Sequence, residues 1–264
     1  MAQGQLDRQS LMGAVLAKLS CLATLSKDDL RDIVGCARGQ EHWDAGSDIC
    51  GEGRRPAAKA IVSGWAARMR MLVDGRRQIF GFLVPGDIVG LRPRPTLGCA
   101  VTALTHVETV DVTPLRALVE NRIAIAEACA SSADMEDALL LNHIVRLGRL
   151  TSGQRVVHLL LELAERLEMA RLKDSDHFGM PLTQEVLAEA LGFSLVHVNR
   201  TIQQLRLDQM IRLGGGMVTI LQRQKLSAYA GFVPRQFVRT DISSIGGSVS
   251  AFDGLSPNQD GGAV

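Results

Sequence analysis

The side chains with the clearest chemistry fall in one short stretch of the chain. Ser194, Leu195, Val196, His197, Asn199, Arg200 and Gln203 follow a Gly192-Phe193 break in a helical pattern. Arg200 presents a fork of donors that matches the O6 and N7 acceptors of guanine. Val198, Thr201, Ile202 and Leu205 recur at helical spacing on the opposite side, which leaves Val196, Asn199, Arg200 and Gln203 sharing an exposed face. Thr183 and Gln184 open the preceding helix. Thr183 and His197 suit contacts to a phosphate backbone, which position a protein without reading sequence.

The elements that must hold these residues are legible nearby. Val186, Leu187, Ala190 and Leu191 predict a first helix, capped by Thr183, and Ser194 can cap the second by accepting from its free amides. After Met210 the pattern alternates, with Gly214-Gly215-Gly216 between Ile211-Leu213 and Met217-Ile220. That change predicts a small β-hairpin, so the unit reads as a winged helix-turn-helix whose second helix enters the major groove.

The chain has 264 residues, 46% hydrophobic and 22% charged, enough for two cores. Its formal net charge is only +1, so attraction to phosphate must come from local placement of Arg and Lys rather than from bulk charge. No apolar run approaches the roughly 20 residues of a membrane span, and MAQGQLDRQS lacks a signal pattern, so a cytoplasmic protein without a membrane partner is expected. Five cysteines at wide spacing suit neither a disulfide framework nor a zinc site; no metal site is expected, and the thiols read as buried small hydrophobes. The histidines are scattered singly and no nucleophile–base or phosphate-cradling set stands out, so an enzyme is not expected.

From the N-terminus, Leu11–Leu19 and Lys27–Ala37 predict two short helices, the second capped by Ser26 with Asp28 and Asp29 in its first turn. Short strands follow: Ala60-Ile61-Val62, Trp65–Leu72, Gln78–Val84, Ile88-Val89-Gly90 and Ala100–Val112, with Gly64 and Gly75 as turn residues. Their close spacing predicts a small antiparallel barrel or sandwich. Pro114 opens a short helix to Asn121, and a longer helix runs to Leu150. Its stripe of Ala126, Ala130, Ala133, Leu140, Ile144 and Leu147, interrupted by Asp137, has the near-heptad spacing of a dimer seam. Thr151-Ser152 caps the next helix, Gln154–Leu167, with a hinge near Gly148–Gly153. The expected organisation is an α+β chain: residues 1–113 as helices and β-domain, 114–150 as the dimerisation segment, 151–232 as the DNA-binding domain, and 233–264 as a Gly/Ser-rich disordered tail.

This order of elements resembles the Crp/Fnr family of bacterial transcription regulators from about Leu11 to Phe232. IVSGWA (Ile61–Ala66), LVPGDIVG (Leu83–Gly90) and, most specifically, LTQEVLAEALGFS (Leu182–Ser194) with VNR (Val198–Arg200) carry the likeness. The resemblance implies a cupin-like β-roll of the cyclic-nucleotide-binding fold as sensory domain, a homodimer, and double-stranded DNA as partner; RNA polymerase is a further candidate. Arg200 matches the family's base-contacting arginine. Val196 stands where the family often has glutamate, and Leu195 and Val196 can instead meet thymine methyls.

The sensory positions depart further. Relatives that bind cyclic AMP use a Gly-Glu pair, an Arg-Ser pair and hydroxyls on the long helix; here the matching residues are Gly90-Leu91, Gly98-Cys99 and Leu140-Leu141, with Arg92 and Arg94 nearby. Burying a phosphate without those partners is unfavourable by several kcal/mol. Cys21, Cys36 and Cys50 lack the close spacing of an oxygen-sensing iron–sulfur ligand set. Neither cofactor is therefore expected, and the cofactor-binding residues stay unassigned. The alternative is a redox or small-ligand sensor in which the roll, with Cys99 and Cys129, controls DNA binding.

Overall fold

The computed structural model describes residues 8–53, 56–92, 99–172 and 176–235. Helix α1 (Gly13–Leu22) and helix α2 (Lys27–Gly35) lead the chain. Ser26 Oγ accepts the Asp29 amide at 3.1 Å while the Asp29 carboxylate accepts the Ser26 amide at 3.0 Å, a reciprocal box that satisfies two free donors at the start of α2.

The β-roll comprises β1 (Arg38–Trp43), β2 (Asp48–Cys50), β3 (Lys59–Ser63), β4 (Ala66–Met71), β5 (Arg77–Leu83), β6 (Ile88–Val89), β7 (Ala100–Ala103) and β8 (Val107–Asp111). They form two antiparallel four-stranded sheets, ordered β1-β8-β3-β6 and β2-β7-β4-β5. The expected single strand from Ala100 to Val112 is two strands. Leu104 and Thr105 donate their amides to the Trp65 carbonyl at 2.8 and 3.2 Å, which draws the chain across the β3–β4 turn and out of the ladder. Gly64 permits this approach: its φ is +76°, and a Cβ there would lie 2.0 Å from the His106 carbonyl oxygen. Strands β1 and β2 are additions to the expected set; β1 is polar and largely exposed and β2 only three residues long, so neither carries an apolar alternation.

Helix α3 (Leu115–Asn121) leads into α4 (Ile123–Arg149), then α5 (Ser152–Met169). Pro114 occupies the position just before α3. Thr151 and Gln154 form a second capping box, so only Leu150 and Thr151 separate the two long helices. Strand β9 (His177–Gly179), helix α6 (Gln184–Leu191), helix α7 (Leu195–Leu207), β10 (Ile211–Gly214), β11 (Met217–Ile220) and helix α8 (Arg223–Ala230) complete the described chain. Strand β9 adds a third strand to the wing through Val218↔Phe178, and α8 packs on α5; the sequence reading had included neither. The tail from 236 onward lies outside the described residues.

Two features join these parts. Trp65, Ala67, Met69, Ile79, Phe82 and Val84 of the roll share one apolar cluster with the buried faces of α5, α6 and α7, so a continuous core crosses the boundary between roll and C-terminal unit. Beside it, Asp87 of the PGD turn is 3% exposed and accepts Lys18 Nζ of α1 at 2.7 Å and Arg166 Nη2 of α5 at 2.5 Å. The Val84 amide donates to the same carboxylate at 2.8 Å. Burial disfavours the Asp87 charge, but Arg166 and Lys18 together outweigh it and hold the carboxyl at about 2.

Replacing Asp87 by Ala strands two buried cations, and we expect a loss of about 3–5 kcal/mol in urea unfolding. Because the Asp87 carboxyl sits below its ordinary 3.8, its stabilisation is complete above that value and disappears as pH falls towards 2. An acid titration of the wild type against Asp87→Ala should converge at the low end; parallel curves would show that the triad does not stabilise the fold.

Candidate nucleic-acid interface

The geometry of the C-terminal unit begins with its two caps. Thr183 Oγ1 accepts the Val186 amide and Ser194 Oγ accepts the His197 amide, each at 3.3 Å. Gly192 between them adopts φ +67°, the left-handed conformation that ends α6 and turns the chain into α7. Arg155 of α5, which the sequence reading left unassigned, organises this turn. It donates to the carbonyls of Leu150 at 2.9 Å and Leu191 at 3.1 Å and lies 4.8 Å over the Phe193 ring.

Helix α7 buries Val198, Thr201, Ile202 and Leu205, while Ser194, Leu195, Val196, His197, Asn199, Arg200 and Gln203 are exposed. Gln184 is partly buried and Thr183 exposed at the start of α6. Val196 is 78% exposed with no apolar cover. The structure thus brings Val196, Asn199, Arg200 and Gln203 to one side of a single helix. Gln203 also lines a groove between α7 and the wing with His177, Arg206 and Arg212. Those three basic side chains escaped sequence reading because Arg206 comes a full turn or more after the motif and the strand carrying His177 was unanticipated. The wing closes through Gly215 and Gly216 at φ +59° and +72°, the positive pair that a tight hairpin requires.

Residues 154–229 match the family model of the Crp-like helix-turn-helix domain. The chain is 28% identical to the transcriptional activator protein FnrL of Cereibacter sphaeroides over 66% of its own length and 72% of the relative's. With the nitrogen fixation regulation protein FixK of Bradyrhizobium diazoefficiens the identity is 26%, covering 79% and 88%. The solved structure of FixK2 from Bradyrhizobium japonicum superposes with a TM-score of 0.63 at 26% identity, covering 73% of this chain and 96% of that one. Residues 154–229 are thus a Crp-like helix-turn-helix domain, and over most of its length the chain is similar to transcription regulators of the Crp/Fnr kind.

Within this regulator, the positions matching the nucleotide-binding segment make contacts of their own. Gly90 holds φ +73°, and a Cβ would meet the Ala57 carbonyl at 2.6 Å. Arg116 of α3 donates to the carbonyls of Gly90 at 2.5 Å and Pro56 at 2.7 Å, which fixes this loop from within the protein. Leu91 packs against the core of α1, α2 and α4. Arg92 pairs with Asp137 of α4 at 3.1 Å. Gly98 and Arg94 lie outside the described residues. The apolar types of Leu140 and Leu141 predict packing against the roll, and the structure corrects this: they are 45% and 62% exposed, and the helix meets the roll through Ile125, Ala128 and Cys129, which share a core with Ala60, Ile88 and Val110, and through the Arg68–Glu136 ion pair at 3.0 Å. That correction follows from helical phase, because Met135, His143 and Arg146 take the inward positions.

The cysteines divide between separate cores. Cys36 and Cys129 belong to the core of α1, α2 and α4, and Cys50 to the interior of the roll. Burial pushes the Cys129 thiol up to about 11 and also raises Cys36 and Cys99, the reverse of what a reactive thiolate needs.

Arg200→Ala should weaken binding to the specific site by about 1–3 kcal/mol and leave binding to random DNA nearly unchanged. Fluorescence anisotropy on both duplexes measures the two losses. Equal losses would make Arg200 a phosphate contact.

Proposed function

We propose that this regulator acts as a homodimer that lays two copies of α7 into successive major grooves of a two-fold operator. The observation that carries the reading is the outer face of α4. Ile123, Leu141 and Ile144 are 89%, 62% and 58% exposed, and Ala126, Ala130, Ala133, Leu140, Val145 and Leu147 continue the same side of the helix. An apolar stripe of this length is covered in a stable protein, and a second copy covers it with like side chains at matching register. Asp137 within the stripe is neutralised by Arg92 of its own chain, which lowers the cost of placing it near the seam.

On the DNA, Arg200 and Asn199 read base edges and Val196 and Leu195 meet thymine methyls. Thr183, Gln184, Ser194 and His197 hold the backbone, and Arg206, Arg212 and His177 extend that hold towards the wing. The bound dimer is the surface from which RNA polymerase would be engaged, in the cytoplasm. Among the described residues no helix is long and apolar enough to cross a membrane.

Control without cyclic AMP is favoured by the commitment of Arg116 to the Gly90 and Pro56 carbonyls and by the exposed, apolar Leu141. A second reading has a specific observation behind it. A cavity of about 400 Å³ lies between β4–β5, α4 and α5, lined in part by Arg68, Cys99, Glu136, His143 and Arg146. His143 Nε2, Arg146 Nε and Arg166 Nε are buried there without a hydrogen-bond partner among the described residues, which suits a small ligand carrying acceptor groups.

Leu140→Asp combined with Ile144→Asp should yield monomers by light scattering and abolish specific binding, while half-sites centred about 34 Å apart should bind the wild type best. A wild type that is monomeric at micromolar concentration ends the dimer reading. Calorimetric titration with cyclic AMP should give no micromolar heat, and DNA binding should be equal with and without it; micromolar heat refutes control without the nucleotide.

A further inference from the structure

The outer sheet of the roll carries a second constellation, far in sequence from the DNA-reading residues. His42 of β1 lies directly opposite Glu108 of β8, and the next inward pair is Trp43↔Val107. One further step along this antiparallel register puts Asp44 opposite His106, on the same outward face as the His42–Glu108 pair. The result is a two-by-two block in which each strand contributes one imidazole and one carboxylate, with the imidazoles diagonal to each other.

The distances suit a shared ligand. His42 Nδ1 is 3.4 Å from Glu108 Oε1, and His106 Nδ1 is 3.6 Å from Asp44 Oδ1. The two imidazoles stack at 5.8 Å between centroids. One ligand atom from each of His42, His106 and Glu108 can be chosen so that all lie within 4.8 Å of one another. Donors bound to one tetrahedral zinc at about 2.0–2.1 Å are about 3.3 Å apart, so the His42–Glu108 pair already has that spacing and His106 needs only a small rotation. With side chains 56% and 58% exposed, both imidazoles have room for it.

The backbone beneath the block is fixed. Gly64 packs against the His106 carbonyl, and the Trp65 amide donates to Thr105 Oγ1 at 2.9 Å, which pins the turn that carries His106. On the other strand the Gly46 amide donates to the Ala103 carbonyl at 2.8 Å, and the Ser47 amide to the Asp44 carbonyl at 3.0 Å. Nitrogen and oxygen donors of this kind select first-row divalent ions such as Zn²⁺ or Co²⁺ over Mg²⁺ or Ca²⁺, which favour all-oxygen sets.

We infer that His42, His106 and Glu108 form a binding site for a divalent transition-metal ion on the β-roll, with Asp44 or water in the fourth position. The ion ties the exposed edge strand β1 to β8 and so stabilises the roll. Such a site is independent of the DNA-reading face and of the dimer seam.

The test uses the full chain freed of metal and titrated with Co²⁺, then with Zn²⁺ in competition. We expect one Co²⁺ per chain, with visible bands of a nitrogen/oxygen site and no strong thiolate charge-transfer band, which separates it from adventitious binding at cysteines. Zn²⁺ should displace it and raise the thermal midpoint by several degrees. His42→Ala with His106→Ala should weaken binding on the order of 100-fold and remove the thermal shift. Both residues are exposed, and unchanged DNA binding by this variant in metal-free buffer would show that it is folded. No uptake by the wild type at tens of micromolar metal, uptake dominated by thiolate bands, or full uptake by the double variant overturns the inference.

Discussion

The buried carboxylate of Asp87 is shared by three parts of this regulator. Helix α1, the PGD turn of the roll and helix α5 of the C-terminal unit each supply one member of its buried triad. Buried ions are costly unless each is paired and its remaining hydrogen-bonding capacity filled. Here Asp87 also accepts from Val84, and Arg166 also donates to the Phe82 carbonyl at 2.9 Å, so the low-dielectric surroundings strengthen a network that is largely complete. The roll, its helical preface and the DNA-reading unit are therefore held in register by directional contacts as well as by apolar burial.

The junction of α4 and α5 repeats the theme with a different outcome. Arg146 is 2% exposed, meets Glu162 at 2.5 Å and His158 Nδ1 at 3.2 Å, and lies 3.4 Å from His143 Nδ1. Burial, reinforced by the Arg146 charge, brings His143 down to about 4 and lowers His158 as well. Both imidazoles thus stay neutral at physiological pH, and within this buried group of four side chains the charges are those of Arg146 and Glu162. A two-residue connection backed by this ion pair joins the long helix to α5 of the C-terminal unit.

The helix-turn-helix was legible because its signals are local. Thr183, Ser194 and Gly192 announce helix ends within a few residues of the apolar positions they serve, and the phase of Val198, Ile202 and Leu205 sets which side of α7 is free. The same held for Ser26 and Asp29. Strands β1, β2 and β9 escaped because their pairing partners are distant in sequence and their own residues show no alternation. Helix α8 escaped because its low apolar content hides the two residues, Leu226 and Ala230, that it buries. That Leu140 and Leu141 do not face the roll was not legible, because only the three-dimensional placement of Met135 and His143 sets which side of α4 turns inward. Arg155 and the triad of Lys18, Asp87 and Arg166 were invisible for another reason: nothing in sequence marks which of many charged residues will be buried.

The apolar cluster that runs from Trp65 and Ile79 into Leu187, Leu191 and Ile202 makes the roll's β4–β5 hairpin part of the floor on which the DNA-reading helices rest. Above it, Arg77 of β5 grips Glu189 of α6 with two donors at 2.8 and 3.0 Å. Exchange of sensory and DNA-reading modules between relatives, by evolution or by engineering, is consequently constrained to travel with this hairpin. A chimaera cut cleanly at the Leu150–Thr151 link would oppose two surfaces that never co-adapted, whereas one that transplants the hairpin together with the C-terminal unit keeps the shared floor whole.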